Sequence, residues 1–163
     1  MEGDYVYQEH REVRAASRTE AATAFSVTLA LFILLTGCEP REAATDCELG
    51  KAPCTKQIGG GLSVSFDIRP KPVRTMSNLV CRVVLKKGSI PVESADIIVR
   101  LSMPGMAMAA NRVPLARRDT GVYEGRCVIV RCPSGRKVWR AGIDIYPSGS
   151  KPASVDFTFR VAK

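Results

Sequence analysis

The chain has 163 residues, a formal net charge of +8 and a single histidine, His10, close to its start. The rest of the sequence therefore excludes a Ser-His-Asp triad, a Cys–His pair and any histidine-ligated zinc or blue-copper site. No P-loop, G-x-S-x-G motif or close pair of acids replaces the missing imidazole. We therefore predict that the protein is not an enzyme.

An apolar run over residues 21–35 is followed at once by Gly37 and Cys38. The run is too short to cross a bilayer core of about 30 Å, but it suits the h-region of a signal peptide. Leu35-Thr36-Gly37-Cys38 resembles the lipobox of bacterial lipoproteins, which implies cleavage before Cys38 and acylation of that cysteine. We predict a signal peptide over residues 1–37 and a lipid anchor, including palmitate, at Cys38.

This anchor predicts a location outside the cytoplasm, on a bacterial membrane. Glu39 rather than aspartate follows the cysteine, so by resemblance the outer membrane is expected if the cell has one. The alternative is a short uncleaved membrane helix, which the length of the run disfavours. Residues 1–20 hold more acids than bases, unlike a usual n-region. We therefore hypothesise that translation starts near Val13.

The sequence after the signal peptide is basic, because three of the 24 basic and five of the 16 acidic residues precede Cys38. Such a balance favours anionic surfaces. The predicted partners are the membrane, through the lipid anchor, and an envelope protein with an acidic surface. The basic residues are scattered rather than interleaved with aromatics, so no nucleic-acid partner is predicted.

Residues 38–60 are polar and without sustained period, and we predict that they form a flexible tether behind the lipidated cysteine. From Leu62 onward the hydrophobic pattern has period two. It predicts strands near residues 62–69, 78–87, 95–103, 112–117, 122–130, 139–145 and 155–161. Residues 61–163 are therefore predicted to be all-β, an immunoglobulin-like antiparallel two-sheet sandwich of about seven strands, with a barrel as the alternative. Tyr123 stands where such sandwiches place a corner tyrosine.

Five of the six cysteines remain once Cys38 is acylated. In an oxidising compartment they are expected to pair, with one left over. Cys81 and Cys127 fall on inward strand positions, which favours a disulfide between them. Cys132 would then pair with either Cys47 or Cys54, and the sequence leaves this choice open. The alternative is a set of reduced thiols binding a soft metal, although the spacings match no zinc ribbon or C-x-x-C motif.

A methionine-rich turn, Met103-Pro104-Gly105-Met106-Ala107-Met108, follows the third predicted strand. Thioether sulfur is a ligand that Cu(I) prefers, so Met103, Met106 and Met108 are candidate ligands. Met76 would join them only if its loop lies at the same end of the domain. The alternative is that these methionines are apolar filler, with Met103 continuing the buried face of its strand.

The M-P-G-M turn within residues 101–113, the G-V-Y-E-G segment at 121–125 and residues 130–139 with Trp139 resemble the FixH/YtkA-like domain family. The end of the first predicted strand, residues 68–76, is also similar to that family, and the resemblance covers residues 62–162. It implies an immunoglobulin-like sandwich outside the cytoplasm, in a family linked to copper handling and to assembly of membrane-bound respiratory oxidases.

Two functions remain open at this point. The first is an anchored module whose methionine-rich turn binds Cu(I), the one metal or cofactor that the sequence suggests. The second is a protein-interaction or assembly-accessory module for an envelope or respiratory membrane complex, without metal.

Overall fold

The computed structural model describes residues 43–107, 109 and 111–162, so the predicted signal peptide and Cys38 lie outside the described residues. The described part contains a 3-10 turn at Gly59–Gly61 and no helix long and apolar enough to cross a membrane. Its strands are β1 Cys54–Ile58, β2 Leu62–Arg69, β3 Leu79–Lys87, β4 Ile90–Pro91, β5 Ala95–Ser102, β6 Asn111–Asp119, β7 Val122–Cys127, β8 Val138–Pro147 and β9 Ala153–Arg160.

Two antiparallel sheets form a sandwich, and strand β6 belongs to both. One sheet has the order β1-β2-β3-β7, with β4 on β3, and the other contains β5, β8 and β9. The first half of β6 pairs with β5, up to Leu115, and the second half pairs with β7 from Ala116. The predicted all-β antiparallel sandwich is thus confirmed, and the shared strand brings it close to a barrel.

The core lies between the two sheets and follows the period-two pattern. Phe66 of β2 and Phe157 of β9 face each other with ring centroids 5.6 Å apart, and Trp139 of β8 is 1% exposed. Tyr123 is also buried, and its hydroxyl donates a hydrogen bond of 2.8 Å to the carbonyl of Val92. This bond ties β7 to the segment between β4 and β5.

Strand β7 is shorter than predicted. Its last pair is Cys127 opposite Leu79, which is the first residue of β3. Because β3 offers no further backbone to pair with, residues 128–130 leave the sheet although their sequence still suits a strand.

The prediction of a flexible tether over residues 38–60 is wrong for residues 47–58. Cys47 forms a β-bridge with Phe159, Leu49 is fully buried, and β1 pairs along its whole length with β2. The error has a physical cause. Strand β1 is only half-buried, at alternate positions, and the single leucine before it, Leu49, forms no repeating hydrophobic pattern from which a strand could be predicted. Residues 42–163 form one compact unit that holds the described core, so this part can be studied by itself.

The predicted cysteine pairing is also wrong. Cys47 is bonded to Cys54, whereas Cys81, Cys127 and Cys132 are free thiols. Cys127 stands opposite Leu79, two residues from Cys81, so the two cysteines are diagonal neighbours. Diagonal neighbours lie about 7–8 Å apart, whereas the Cα atoms of a disulfide are usually about 4.4–6.8 Å apart.

A buried carboxylate fixes the N-terminal segment to the sandwich. Asp67 of β2 is 3% exposed, with Arg69 Nε 2.8 Å and Lys71 Nζ 2.9 Å from its two oxygens. Lys71 also donates to the carbonyl of Leu49. Burial raises the pKa of Asp67, but the hydrogen bonds from Lys71 and Arg69 outweigh it and hold this pKa below its usual value.

We predict that Asp67→Asn lowers the free energy of unfolding by about 1–3 kcal/mol, because the buried side chain loses its charge and with it the charge-assisted bonds to Arg69 and Lys71. The pKa of Asp67 is lower in the folded state, so its contribution is complete at neutral pH. It is lost as the pH falls below about 4 towards the folded pKa, and the variant should lack this acid sensitivity. Urea unfolding at several pH values measures both effects.

The control is Glu48→Gln, which removes an exposed ion pair with Lys51 and is expected to leave stability unchanged. Equal stability of Asp67→Asn and the wild type at neutral pH would contradict the role given to Asp67.

Candidate soft-metal site

Two proline-containing turns lie side by side at one end of the sandwich. The first joins β5 to β6, and Met106 N–H donates to the carbonyl of Met103 at 3.3 Å. The second lies between β7 and β8, and Gly135 N–H donates to the carbonyl of Cys132 at 3.0 Å. Each has proline at its second position, which presets the backbone for a β-turn.

The positive φ of 70° at Gly105 is required by the first turn. A Cβ atom placed there would lie 3.8 Å from the guanidinium of Arg136. The first turn therefore packs directly against the second one.

These turns bring two sulfur atoms into contact. The thiol of Cys132 donates to the thioether of Met106, with Sγ and Sδ 3.7 Å apart. The hydroxyl of Ser134 lies 3.0 Å from the same Sγ and can donate to it. Cys132 is 6% exposed and Met106 is 37% exposed, so the pair lies at the surface with the methionine on its open side.

The surroundings of Cys132 favour its thiolate. The hydrogen bond from Ser134 lowers the pKa of the thiol more than burial raises it, and the backbone and positive charge of Arg136 lower it further. Cys81 has the opposite environment, since its thiol donates to Cys127 and is buried, and both raise its pKa. Of these two thiols, Cys132 is the one suited to bind a metal or to react.

The predicted site residues are only partly brought together. Met106 is in the sulfur pair, Met103 packs into the core beneath the turn, and Met108 lies outside the described residues. Met76 is 64% exposed at the same end, where its N–H donates to the carbonyl of Ile129. Sequence reasoning favoured Cys132 as a disulfide partner and kept reduced, metal-binding thiols as the alternative, without linking Cys132 to Met106. The signal that it missed is the C-P-S-G turn, with two neighbours that lower the thiol pKa.

The donor set determines which metals fit. Within the described residues no three His, Cys, Asp or Glu side chains converge as a metal site, so an ordinary zinc or calcium site is not formed there. A thiolate beside a thioether is instead a soft donor pair, which suits Cu(I).

A groove of about 750 Å³ lies near this end, over the place where β6 turns away from β7. Asn111 closes one side of it by donating to the carbonyl of Val128 at 2.9 Å. Arg112 and Arg126 line it, and none of its lining residues is acidic.

Comparisons with known proteins do not place the chain in a family. No protein-family model and no curated protein matches it. It is similar to the crystal structure of a DUF4426 family protein from Pseudomonas aeruginosa PAO1, at 17% identity and a TM-score of 0.47, over 67% of this chain and 94% of that one. A likeness this distant carries no function. The resemblance to the FixH/YtkA-like family therefore stays a prediction.

We predict that iodoacetamide alkylates Cys132 of native residues 42–163 before Cys81, whose thiol pKa is raised. The alkylation rate of Cys132 should rise with pH and reach half its maximum below about 8.5, the pKa of an ordinary thiol. The reason is that Ser134 and Arg136 stabilise the thiolate of Cys132. Timed quenching followed by peptide mass spectrometry without reduction measures this. The same spectra should show Cys47 linked to Cys54.

Ser134→Ala is the matched variant and should move the midpoint of Cys132 to higher pH. Equal alkylation rates at Cys132 and Cys81 would contradict the assigned environments.

Proposed function

We propose that the protein is a lipid-anchored binding module of the bacterial cell envelope that holds Cu(I) between Met106 and Cys132. The observation that carries this proposal is the 3.7 Å contact between Met106 Sδ and Cys132 Sγ. Two soft donors from different turns already point at each other there. No large rearrangement of these turns is needed to place an ion between them.

The binding step exchanges a proton for a metal ion. In the metal-free site the thiol proton lies between the two sulfurs. When Cu(I) binds, the Cys132 sulfur loses that proton to solvent and forms a metal–thiolate bond, and Met106 supplies a neutral second donor. The exchange is easier because Ser134 and Arg136 lower the pKa of the thiol. Copper keeps its oxidation state throughout.

The compartment is argued from two features. The resemblance of residues 35–38 to a lipobox supports export and anchoring. The Cys47–Cys54 disulfide supports an oxidising environment outside the cytoplasm. The resemblance to the FixH/YtkA-like family, which is linked to copper handling and oxidase assembly, agrees with a soft metal as the ligand.

We predict that residues 42–163 compete with a chromophoric chelator for Cu(I), and that Met106→Leu and Cys132→Ser each weaken this binding about 100-fold or more. Loss of even an outer partner of a metal ligand typically costs about 10–100-fold in affinity. Below the pKa of Cys132, the affinity of the wild type should rise about tenfold per pH unit, because one proton is released.

Met76→Leu is the control, since it removes an exposed methionine outside the sulfur pair, and its affinity should equal that of the wild type. A wild type that does not compete, or a Cys132→Ser variant that binds equally well, would leave the metal-free interaction module as the function.

The anchor makes a separate prediction. In a bacterium supplied with radiolabelled palmitate, the full-length protein should be labelled and recovered with membranes, whereas Cys38→Ala should be unlabelled. A wild-type chain found unlabelled and whole in the cytosol would remove the anchor and the location from the proposal.

A further inference from the structure

Three loops meet at the end of the sandwich that carries the sulfur pair. They join β2 to β3, β5 to β6 and β7 to β8, over residues 70–78, 103–110 and 128–137. The first and third are joined by the bond from Met76 N–H to the carbonyl of Ile129, at 2.8 Å. The second and third are joined by the Met106–Cys132 contact. We call these three loops the loop end.

The loop end exposes apolar side chains that the core does not use. Of the six large hydrophobic residues that are exposed in the described part of the chain, four lie there. They are Met76 at 64%, Val130 at 45%, Val128 at 39% and Met106 at 37% exposure. Exposed apolar residues scattered singly are normal, but a cluster on adjoining loops marks a contact surface.

Met76 is costly for stability. Its φ is 56°, the left-handed region that residues other than glycine avoid, and its side chain lies mostly in solvent. Such a conformation costs about 1–2 kcal/mol for a residue with a Cβ atom, and little packing offsets it. A residue such as Met76, which adopts an unfavourable backbone conformation without a gain in packing, is expected at a functional position.

The charge of the loop end has one sign. The three loops contain Lys71, Arg74, Arg131, Arg136 and Lys137, and their sequence has no aspartate or glutamate. The neighbouring groove adds Arg112 and Arg126. In the segment that precedes β1, Asp46 and Glu48 are each paired with a lysine. Lys71 is paired with Asp67, so an anion approaching the loop end meets positive charge mainly from the arginines.

The chain between the proposed anchor and the fold is short. Asp46 N–H already donates to the carbonyl of Thr158, in the half of β9 that pairs with the start of β8. Asp46 is eight positions along the chain from Cys38, with seven residues between them, and this length reaches at most about 28 Å when fully extended. The β8 start adjoins the loop end, so an acyl chain on Cys38 would keep this end within reach of headgroups. This step alone rests on the anchor of the proposed function.

We propose that the loop end docks onto anionic phospholipid headgroups. Arg74, Arg131 and Arg136 attract the phosphates, and a cation near a charged membrane surface adds about 1 kcal/mol. The exposed methionines and valines enter the boundary between headgroups and acyl chains. The same charges would attract an acidic protein, but a lipid anchor on Cys38 would keep headgroups, rather than a diffusing partner, within reach of this surface.

The test uses residues 42–163 without lipid, so its outcome depends on neither acylation nor copper. Vesicles of phosphatidylcholine containing phosphatidylglycerol should sediment the protein, and vesicles of phosphatidylcholine alone should not. Added salt should weaken the binding, because exposed charges are screened. Arg74→Ala/Arg131→Ala should bind about 30-fold more weakly, which corresponds to about 2 kcal/mol for two cations.

The matched control is Lys86→Ala/Lys87→Ala, which removes two exposed cations where β3 ends, away from the loop end, and should bind as the wild type does. Met76→Gly relieves the backbone strain, so it should be at least as stable as the wild type and yet bind vesicles more weakly. This variant separates docking from folding.

Three results would overturn the proposal. They are equal binding to both kinds of vesicle, an equal loss in the two double variants, and binding to polyglutamate as tight as to anionic vesicles. The last would assign the surface to an acidic protein.

Discussion

Strand β6 is the constraint on which the rest of the structure depends. It hydrogen-bonds to β5 up to Leu115 and to β7 from Ala116, so the same short strand holds both sheets together. Because the methionine-rich turn leads into β6 and the loop that follows β7 carries Cys132, this crossover sets the two turns next to each other. The sulfur pair is therefore a product of sheet connection and not of local sequence.

The N-terminal segment closes the side of the sandwich opposite this crossover. The Cys47–Cys54 disulfide and the pairing of β1 with β2 hold the segment against the first sheet. Lys71 connects the buried carboxylate of Asp67 to the carbonyl of Leu49. As a result, residues 47–58, whose composition suggested a linker, are part of the folded unit.

The two proposed activities share one end of the molecule and differ in chemistry. Soft sulfur donors from two turns suit a monovalent soft ion, whereas arginines and exposed apolar side chains on the same loops suit anionic lipid. Arg136 takes part in both, since it lowers the pKa of the Cys132 thiol and adds positive charge to the surface. A protein that docks by this end would carry its metal site near the membrane surface.

The sequence alone determined the class of fold, because a period-two pattern such as that of residues 62–69 or 155–161 requires one buried face. It also determined the Pro-Gly turn after β5, since local chemistry is sufficient there. Only the tertiary structure decided the cysteine pairing and the partner of Met106. Register placed Cys81 diagonally from Cys127, and the crossover of β6 placed Cys132 beside Met106. Both depend on contacts between residues far apart in the chain, which periodicity within one strand does not encode.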